Sequence, residues 1–168
     1  MILCFDIGGS RIRAALAEGD ALLPLGETPT PRHDFAAFVA ALAGFLDDRA
    51  RAVSISVAGV VDAETGIATV ANIPCLDGRS VADDLFEALG LPVQVLNDAD
   101  CFALAEAHAG AGRHHRNVFG IILGSGVGEA LLCFTQLSDE RLGSFEAFGD
   151  DGFVRCLRAV SDECEHVV

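Results

Sequence analysis

Two glycine-rich segments and one acidic segment carry the residue types that could do chemistry. The first, DIGGSR at residues 6–11, follows the apolar run ILCF and combines a carboxylate, a hydroxyl, a cation and two adjacent glycines. Gly8 and Gly9 are suited to the positive φ angles of a tight two-residue hairpin turn. The loop also offers bare backbone N–H groups to an anion such as phosphate. Because short glycine motifs often match by chance, this stretch alone favours an ordinary hairpin.

The second glycine-rich segment, LGSGVG at residues 123–128, also lies between two apolar strand-like runs. Two strand–glycine–strand loops in one sheet are able to approach the same polyphosphate. The pair therefore indicates a phosphate site more sharply than either loop does alone.

The acidic segment, NDAD at residues 97–100, ends the strand-like run LPVQVL and starts a helix. Asn and Asp are preferred helix N-caps, which accounts for Asn97 and Asp98 without any function. A carboxylate held at this position is also able to accept a proton from a hydroxyl. The residues alone leave both interpretations open and favour capping.

The elements that must position these segments alternate in type along the chain. Their order is three strands, a helix, a strand, an extended pair around a turn at residues 64–66, a helix, a strand, a helix and two final strands. Asp34 is placed to begin the first helix and Gly90 to end the second. The pattern predicts an α/β fold with a mixed five-stranded sheet flanked by helices, its first three strands forming an antiparallel meander.

Composition limits the classes of partner. The chain has 168 residues, is 51% hydrophobic and carries a net charge of −14, so we expect one folded domain and no nucleic-acid or anionic-membrane surface. The longest apolar run, AAFVAALAGFL, is shorter than the roughly 20 residues that a membrane span needs. No basic region precedes an apolar segment at the start of the chain, which predicts a cytoplasmic protein.

The cysteines do not form a metal-binding pattern. Six occur singly, at Cys4, Cys75, Cys101, Cys133, Cys156 and Cys164. No two of them are close enough in sequence to supply paired ligands, so we expect no zinc. Buried, reduced thiols are the favoured interpretation.

Five ordered segments resemble the N-terminal lobe of the ROK family: DIGGSRIRAAL, SVAGVVDAETG, NIP, LNDADCFALAEA and GIILGSGVGEALL. The family contains ATP-dependent sugar kinases and sugar-sensing, NagC-like repressors, and it belongs to the actin, hexokinase and Hsp70 superfamily. The resemblance implies a ribonuclease-H-like lobe over residues 1–135. It further implies phosphorylation of a hexose or an N-acetylated amino sugar, with ATP and magnesium as cofactors.

The resemblance assigns roles to individual residues. Asp98 corresponds to the catalytic base, and Asp6 helps to hold the magnesium–nucleotide. The residues implied in sugar binding are Gly59, Asn72, Asn97 and Asp98. Those implied in nucleotide binding are Asp6, Gly8, Gly9, Ser10, Arg11, Gly124, Ser125 and Gly126. Because one transfer reaction needs them together, we expect Asp98 and the two glycine loops to line one cleft.

Some residues depart from the family pattern. Ser10 and Ser125 stand where threonine is usual, which keeps a hydroxyl, whereas Glu129 and Ala130 stand where glycine is common. Residues 136–168 form an atypical tail with an expected terminal helix, and the segments of a second lobe do not follow. A truncated or frameshifted reading frame is favoured over a short homologue. We therefore expect little activity from this chain alone.

Two alternatives to an enzyme stay open. One is a non-catalytic sugar-sensing module of a NagC-like regulator, although only five residues precede Asp6, where that branch usually carries a helix-turn-helix. The other is an inert lobe that acts by pairing with another chain. An apolar face left by a missing lobe predicts self-association into a homo-oligomer.

Overall fold

The computed structural model describes residues 1–19, 21–62, 64–115, 117–123 and 127–133. The expected tail at residues 136–168 and the second glycine loop at residues 124–126 lie outside these ranges. In the described part the elements are, in chain order, β1 (Ile2–Ile7), β2 (Arg11–Glu18), β3 (Ala21–Pro29), α1 (Phe35–Ala43), β4 (Ala52–Val57), β5 (Val60–Val61), β6 (Ala68–Thr69), α2 (Val81–Leu89), β7 (Val93–Asn97), α3 (Asp98–Ala109), β8 (Asn117–Leu123) and β9 (Val127–Cys133).

Five strands form one mixed sheet in the order β3-β2-β1-β4-β7. The pairs β1–β2 and β2–β3 are antiparallel, whereas β1–β4 and β4–β7 are parallel. The predicted α/β fold with an antiparallel meander is confirmed. Ile7 pairs with Val57, and Val57 pairs with Asn97, so the segments that follow β1, β4 and β7 leave the sheet at the same edge.

One face of this sheet carries the apolar core and is called here the α1–α2 face. Leu3, Phe5 and Ile7 alternate along β1 and are at most 1% exposed. They join one cluster with Phe38 of α1 and Leu85 of α2. Large side chains at every second strand position therefore pack the two helices against the sheet.

The opposite face, called here the α3 face, carries smaller and more polar side chains. Cys4 of β1, Ser54 of β4 and Gln94 of β7 are register partners across three strands, so they share this face. Cys101 of α3 lies against this side of the sheet, in a small cluster with Ala105. Ser54 Oγ and Gln94 Oε1 are buried and have no hydrogen-bond partner within the described residues.

The cysteines differ from the expectation at one position. Cys75 and Cys101 are free thiols, and Cys101 is buried. Cys4 is disulfide-bonded, so the expectation of a reduced thiol is wrong there. Single, widely spaced cysteines gave no local signal for pairing, because a disulfide depends on which residues the fold brings together.

The helix boundaries follow the predicted signals. The Asp34 carboxylate accepts a hydrogen bond from the Ala37 N–H at 3.1 Å and caps α1. Gly90 ends α2 with a left-handed φ of 70°. No described helix has both the length and the apolar character needed to cross a bilayer.

Two further features lie at the margins of the sheet. β3 is an edge strand, and its pairing with β2 shifts register between Ala14 and Ala15. β8 and β9 form a separate antiparallel hairpin that packs on α3. A Cβ at Gly120 of β8 would lie 3.1 Å from the Ala103 side chain, which is why glycine suits this approach. Phe119, on the other side of β8, is 55% exposed.

Candidate functional site

The first glycine loop connects β1 to β2 at the edge where the parallel strands end. Ile7 pairs with Ile12, so residues 8–11 span the turn, and the Gly8 N–H donates to the Arg11 carbonyl at 2.9 Å. Neither Gly8 nor Gly9 has a positive φ. The expectation of positive φ angles at Gly8 and Gly9 is therefore wrong. The Gly8–Arg11 hydrogen bond leaves only Gly9 and Ser10 between bonded positions, so the hairpin turn is tight but lies one residue later than expected.

Glycine is favoured at position 9 by the close approach of Asn72 rather than by its φ angle. A Cβ at this position would lie 3.0 Å from the Cβ of Asn72, closer than nearly all real contacts. A Cβ at Gly8 would meet nothing nearer than the Arg11 carbonyl at 3.6 Å. The structure thus brings the predicted phosphate loop into contact with a predicted sugar residue.

Residues between β3 and α1 hold this loop in place. The buried Thr30 hydroxyl donates to the Gly8 carbonyl at 2.8 Å, and the Thr30 N–H donates to the Ser10 carbonyl at 3.1 Å. Arg32 Nε donates to the Asn72 carbonyl at 2.9 Å. Neither Thr30 nor Arg32 was among the residues predicted from the sequence. They lie in the proline-rich run TPTPR, and proline favours a turn without identifying hydrogen-bond partners.

Asn97 joins the end of β4 to the start of α3. Its Oδ1 accepts the N–H groups of Ala99 at 2.7 Å and Asp100 at 3.3 Å, which is the predicted N-cap. Its Nδ2 donates to the Gly59 carbonyl. The Asn97 side chain therefore fixes the turn that carries Asp98, and its contact with a sugar stays a prediction.

Gly59 lies where backbones approach closely. A Cβ there would be 2.8 Å from Cγ2 of Val70 and 2.9 Å from the Thr69 carbonyl. The segment after β4 can therefore fold back over the end of β6 only with glycine at this position. Its contact with Asn97 places it beside the start of α3.

The Asp98 carboxylate is half-buried in the first turn of α3. Burial raises its pKa above the usual value, and hydrogen bonds from the N–H groups of Ala99 and of Asp98 itself act in the opposite direction. The nearby Asp100 carboxylate raises the pKa further. A carboxylate with a raised pKa is a stronger proton acceptor than a solvated one.

Asp6 lies on β1, on the α3 face, and pairs in register with Ser56. Its side chain is 26% exposed, and its Oδ2 lies 3.4 Å from Nη1 of Arg13. Burial raises the pKa of the Cys101 thiol, and the carboxylates of Asp100, Asp98 and Asp6 raise it further. Asp6 on β1 and Asp98 in the first turn of α3 both lie on the α3 side of the sheet.

Arg11, which is predicted to bind nucleotide, is held by an acidic neighbour. Its Nη1 lies 3.0 Å from Oε1 of Glu27 on β3, and both side chains are more than half exposed. Glu27 also faces Nε of Arg13 at 3.9 Å. The Arg11 guanidinium therefore lies at the surface beside the glycine loop and is paired there with a carboxylate.

The residues present fit a magnesium–nucleotide. Asp6 supplies a hard oxygen donor next to the glycine loop, as Mg²⁺ prefers. Within the described part of the chain, no group of three or more His, Cys, Asp or Glu side chains is arranged to hold a metal ion by itself. A Mg²⁺ ion bound here would take its other ligands from phosphate oxygens and water, as is usual for this ion.

The predicted site is therefore assembled in part. The structure brings together the first glycine loop and Asn72, and separately Gly59 and Asn97, all at one edge of the sheet. The predicted second loop residues Gly124, Ser125 and Gly126 lie outside the described residues. Their place in the same cleft as Asp98 stays a prediction. β8 and β9 flank that loop, as the strand–glycine–strand pattern predicts.

Comparisons with known proteins bear on this arrangement. A profile described as the ROK family matches residues 2–141. N-acetylgalactosamine kinase of Shewanella sp. (strain ANA-3) is 40% identical over 161 residues, covering 90% of this chain and 52% of that protein. N-acetyl-D-glucosamine kinase of Erwinia tasmaniensis is 38% identical over 140 residues, covering 79% of this chain and 46% of that protein.

A solved structure agrees with these sequence matches. The ROK family glucokinase from Streptomyces griseus in complex with glucose and AMPPNP superimposes with a TM-score of 0.65 and 30% identity, over 81% of this chain and 45% of that one. Fold and comparisons together define an actin- and hexokinase-like α/β lobe. The chain belongs to the ROK family. It spans about half the length of the curated relatives it matches.

Proposed function

We propose that this chain forms the catalytic-base lobe of a sugar kinase that transfers the γ-phosphoryl group of ATP to a sugar hydroxyl. The observation that carries the proposal is the meeting of three predicted elements at one sheet edge: the first glycine loop, Asn72 and the Asn97–Asp98 turn. Each follows or contacts the end of a parallel strand, where ligands of α/β sheets usually bind.

An N-acetylated amino sugar is the substrate class that we propose. The two relatives named above are kinases of N-acetylgalactosamine and N-acetyl-D-glucosamine, at 40% and 38% identity. The glucokinase structure, which holds glucose, is less similar at 30% identity. The order of similarity therefore supports an amino sugar over a plain hexose.

The chemistry follows from the environment of Asp98. The sugar hydroxyl attacks the γ-phosphorus, a new O–P bond forms, and the bond to the β-phosphate oxygen breaks to release ADP. The hydroxyl proton passes to the Asp98 carboxylate, whose raised pKa suits it to accept that proton. Asn97 keeps this carboxylate at the helix start.

The other predicted residues act on the nucleotide. Magnesium–ATP, when bound, supplies the transferable phosphoryl group with its charge partly neutralised. Gly8 and Gly9 leave the first loop without side chains, so that phosphate oxygens can approach the backbone. Asp6 would hold the magnesium, directly or through water, and the exposed Arg11 offers a positive charge beside the loop.

The kinase role is favoured over the sugar-sensing regulator, because the named relatives are kinases and because a regulator needs no proton acceptor at Asp98. We also propose that the protein acts in the cytoplasm on small molecules and that it associates with itself. The side chains of Phe119 and Ile121, which share one side of β8, are both exposed, and this apolar pair supports self-association.

The direct test incubates the 168-residue chain with ATP, magnesium and a panel of hexoses and N-acetylated amino sugars, and measures ADP. We expect turnover far below the typical kinase range of roughly 1–100 s⁻¹, because transfer depends on closing two lobes around both substrates. Residual turnover should disappear in Asp98→Asn and persist in the matched variant Asp100→Asn.

Ligand binding tests the proposed function independently of turnover. Calorimetric titration with magnesium–AMPPNP, and separately with N-acetyl-D-glucosamine and N-acetyl-D-galactosamine, should detect both ligand classes. A chain that binds none of these ligands would contradict the proposed function. Full turnover, lost only in Asp98→Asn, would contradict the expectation that this length is insufficient.

A further inference from the structure

Residues 30–32, called here the clasp, are hydrogen-bonded to the first glycine loop. Thr30 makes two bonds to it, one from its hydroxyl to the Gly8 carbonyl at 2.8 Å and one from its N–H to the Ser10 carbonyl at 3.1 Å. These bonds reach the loop on both sides of Gly9. Thr30 itself is buried, so the bonds are shielded from competing water.

The same clasp is bonded to the segment that contains Asn72. Arg32 Nε donates to the Asn72 carbonyl at 2.9 Å, and the Cys75 N–H donates to the Arg32 carbonyl at 2.9 Å. The Cys75 thiol adds a contact to the Pro31 carbonyl at 3.3 Å. Three consecutive clasp residues therefore contact two segments that are about 60 residues apart in sequence.

The two segments also touch directly. The Gly9 backbone packs so closely on the Asn72 side chain that a methyl group at Gly9 would lie 3.0 Å from the Asn72 Cβ. A displacement of Asn72 therefore also displaces the first glycine loop. The clasp bonds restrict the directions in which the two segments can move. The Arg32 bond is the only clasp side-chain bond to Asn72 in the described residues.

We propose that Arg32 is a positioning residue that couples the Asn72 segment to the first glycine loop, so that a sugar held near Asn72 increases the affinity of the loop for nucleotide. This inference rests on the proposed function, since it takes Asn72 as a sugar residue and the loop as a phosphate site. By linkage, nucleotide increases sugar affinity by the same factor.

Two substitutions separate the hydrogen bond of Arg32 from its charge. In Arg32→Gln, the side-chain amide nitrogen occupies the place of Nε, so the donor to Asn72 is kept while the charge is lost. In Arg32→Lys, a methylene group occupies that place, so the charge is kept while the donor is lost. Arg32→Ala loses both, and Arg49→Ala removes an exposed arginine paired with Asp47 as a control.

The experiment measures the Kd of magnesium–AMPPNP by calorimetry, with and without saturating N-acetyl-D-glucosamine or N-acetyl-D-galactosamine. We expect at least one of these sugars to tighten nucleotide binding by about fivefold or more in the wild type, Arg32→Gln and Arg49→Ala. In Arg32→Ala and Arg32→Lys, that factor should fall close to one. A circular-dichroism melt of each variant identifies loss of folding.

An NMR titration gives a readout at the loop itself. Sugar alone should shift the Gly9 amide resonance in the wild type and in Arg32→Gln, and leave it in place in Arg32→Lys. Should Arg32→Ala not fold, the Gln and Lys variants decide the question.

The possible results distinguish failure of the role of Arg32 from failure of the proposed kinase function. Binding of both ligands without coupling, or coupling that survives in Arg32→Ala, overturns the role of Arg32 and leaves the proposed function standing. Coupling kept in Arg32→Lys and lost in Arg32→Gln overturns positioning in favour of a charge effect. A wild-type chain that binds neither ligand overturns both.

Discussion

The two faces of the five-stranded sheet are built by the same strands from different residues. On the α1–α2 face, Phe5 and Phe38 are at most 1% exposed and pack in one large apolar cluster. On the α3 face, Ser54 and Gln94 are polar, and the neighbouring clusters are small. Since neighbouring strand residues point to opposite faces, one sheet separates its core from its polar groups.

This difference explains where the candidate site can lie. The α1–α2 face packs the strands into the large apolar cluster, whereas Asp6 of β1 lies on the opposite, α3 face. Asp98 begins α3 at the same edge. A carboxylate placed in the large apolar cluster would lose solvation without compensation, whereas the α3 face retains polar neighbours.

The largest expected effect tests the core on the α1–α2 face. Phe38→Ala removes a fully buried ring and should lower the free energy of unfolding by about 3–5 kcal/mol, because the cavity adds to the lost transfer energy. Ser54→Ala, on the α3 face, removes a buried hydroxyl without a described partner and should be neutral or slightly stabilising. Urea unfolding measures both. Similar losses in the two variants would contradict the division between the faces.

A smaller effect concerns the close approach at Gly59. Gly59→Ala should destabilise the protein by about 1–3 kcal/mol, because the new methyl group would lie 2.8 Å from Cγ2 of Val70. Gly44→Ala is the control, since its Cβ meets nothing nearer than 3.5 Å and its φ is −62°. It should stabilise by about 0.4–1 kcal/mol. Thermal melts that rank the two variants in the reverse order would refute the assigned contact.

The cap of α3 should cost less to remove. Asn97→Ala deletes the bonds from the N–H groups of Ala99 and Asp100 and also the bond to the Gly59 carbonyl, and it should lower the free energy of unfolding by about 1–2 kcal/mol. Ser80 is the matched control, because it stands at the same position of α2 without a capping bond from its side chain. Ser80→Ala should therefore cost less. Equal losses, measured by urea unfolding, would argue against capping by Asn97.

The last prediction concerns the pH dependence of stability. The folded-state pKa of Asp98 is raised by burial, so its contribution to stability is fully present below the unfolded-state pKa and is lost as pH rises through the folded-state value. The asparagine in Asp98→Asn does not titrate, so this variant does not lose stability in this way. The variant should gain stability relative to the wild type as pH rises from about 3 to 7. Melts across this range measure the difference, and a gain toward acid would reverse the assigned shift.

The sheet and the helix ends were predictable because their signals are local. The apolar run ILCF predicted a strand, and Asp34 and Gly90 marked helix ends through backbone preferences of single residues. The Asn97–Asp98 turn was also located, because a strand ending in two capping residues has few other structures available. The catalytic role proposed for it came only from the family resemblance.

The details around the first glycine loop were not predictable in the same way. The Thr30 bond to Gly8 joins residues 22 apart, and the Arg32 bond to Asn72 joins residues 40 apart. No period or cap encodes such pairs, because they depend on how complete elements pack. The tight turn was predicted one residue too early, because two adjacent glycines do not determine which residues reverse the chain, whereas the Gly8–Arg11 hydrogen bond leaves Gly9 and Ser10 at the turn.

The edge strand β3 has a consequence for contacts between molecules. An exposed sheet edge invites strand addition by another chain, which is the first step of many aggregates. β3 interrupts its own row of N–H donors with Pro24 and Pro29, and Gly26 between them has a φ of 125°. Proline at an edge removes a donor, and the irregular backbone bends the row. A strand from a second molecule therefore meets no unbroken ladder of donors along β3.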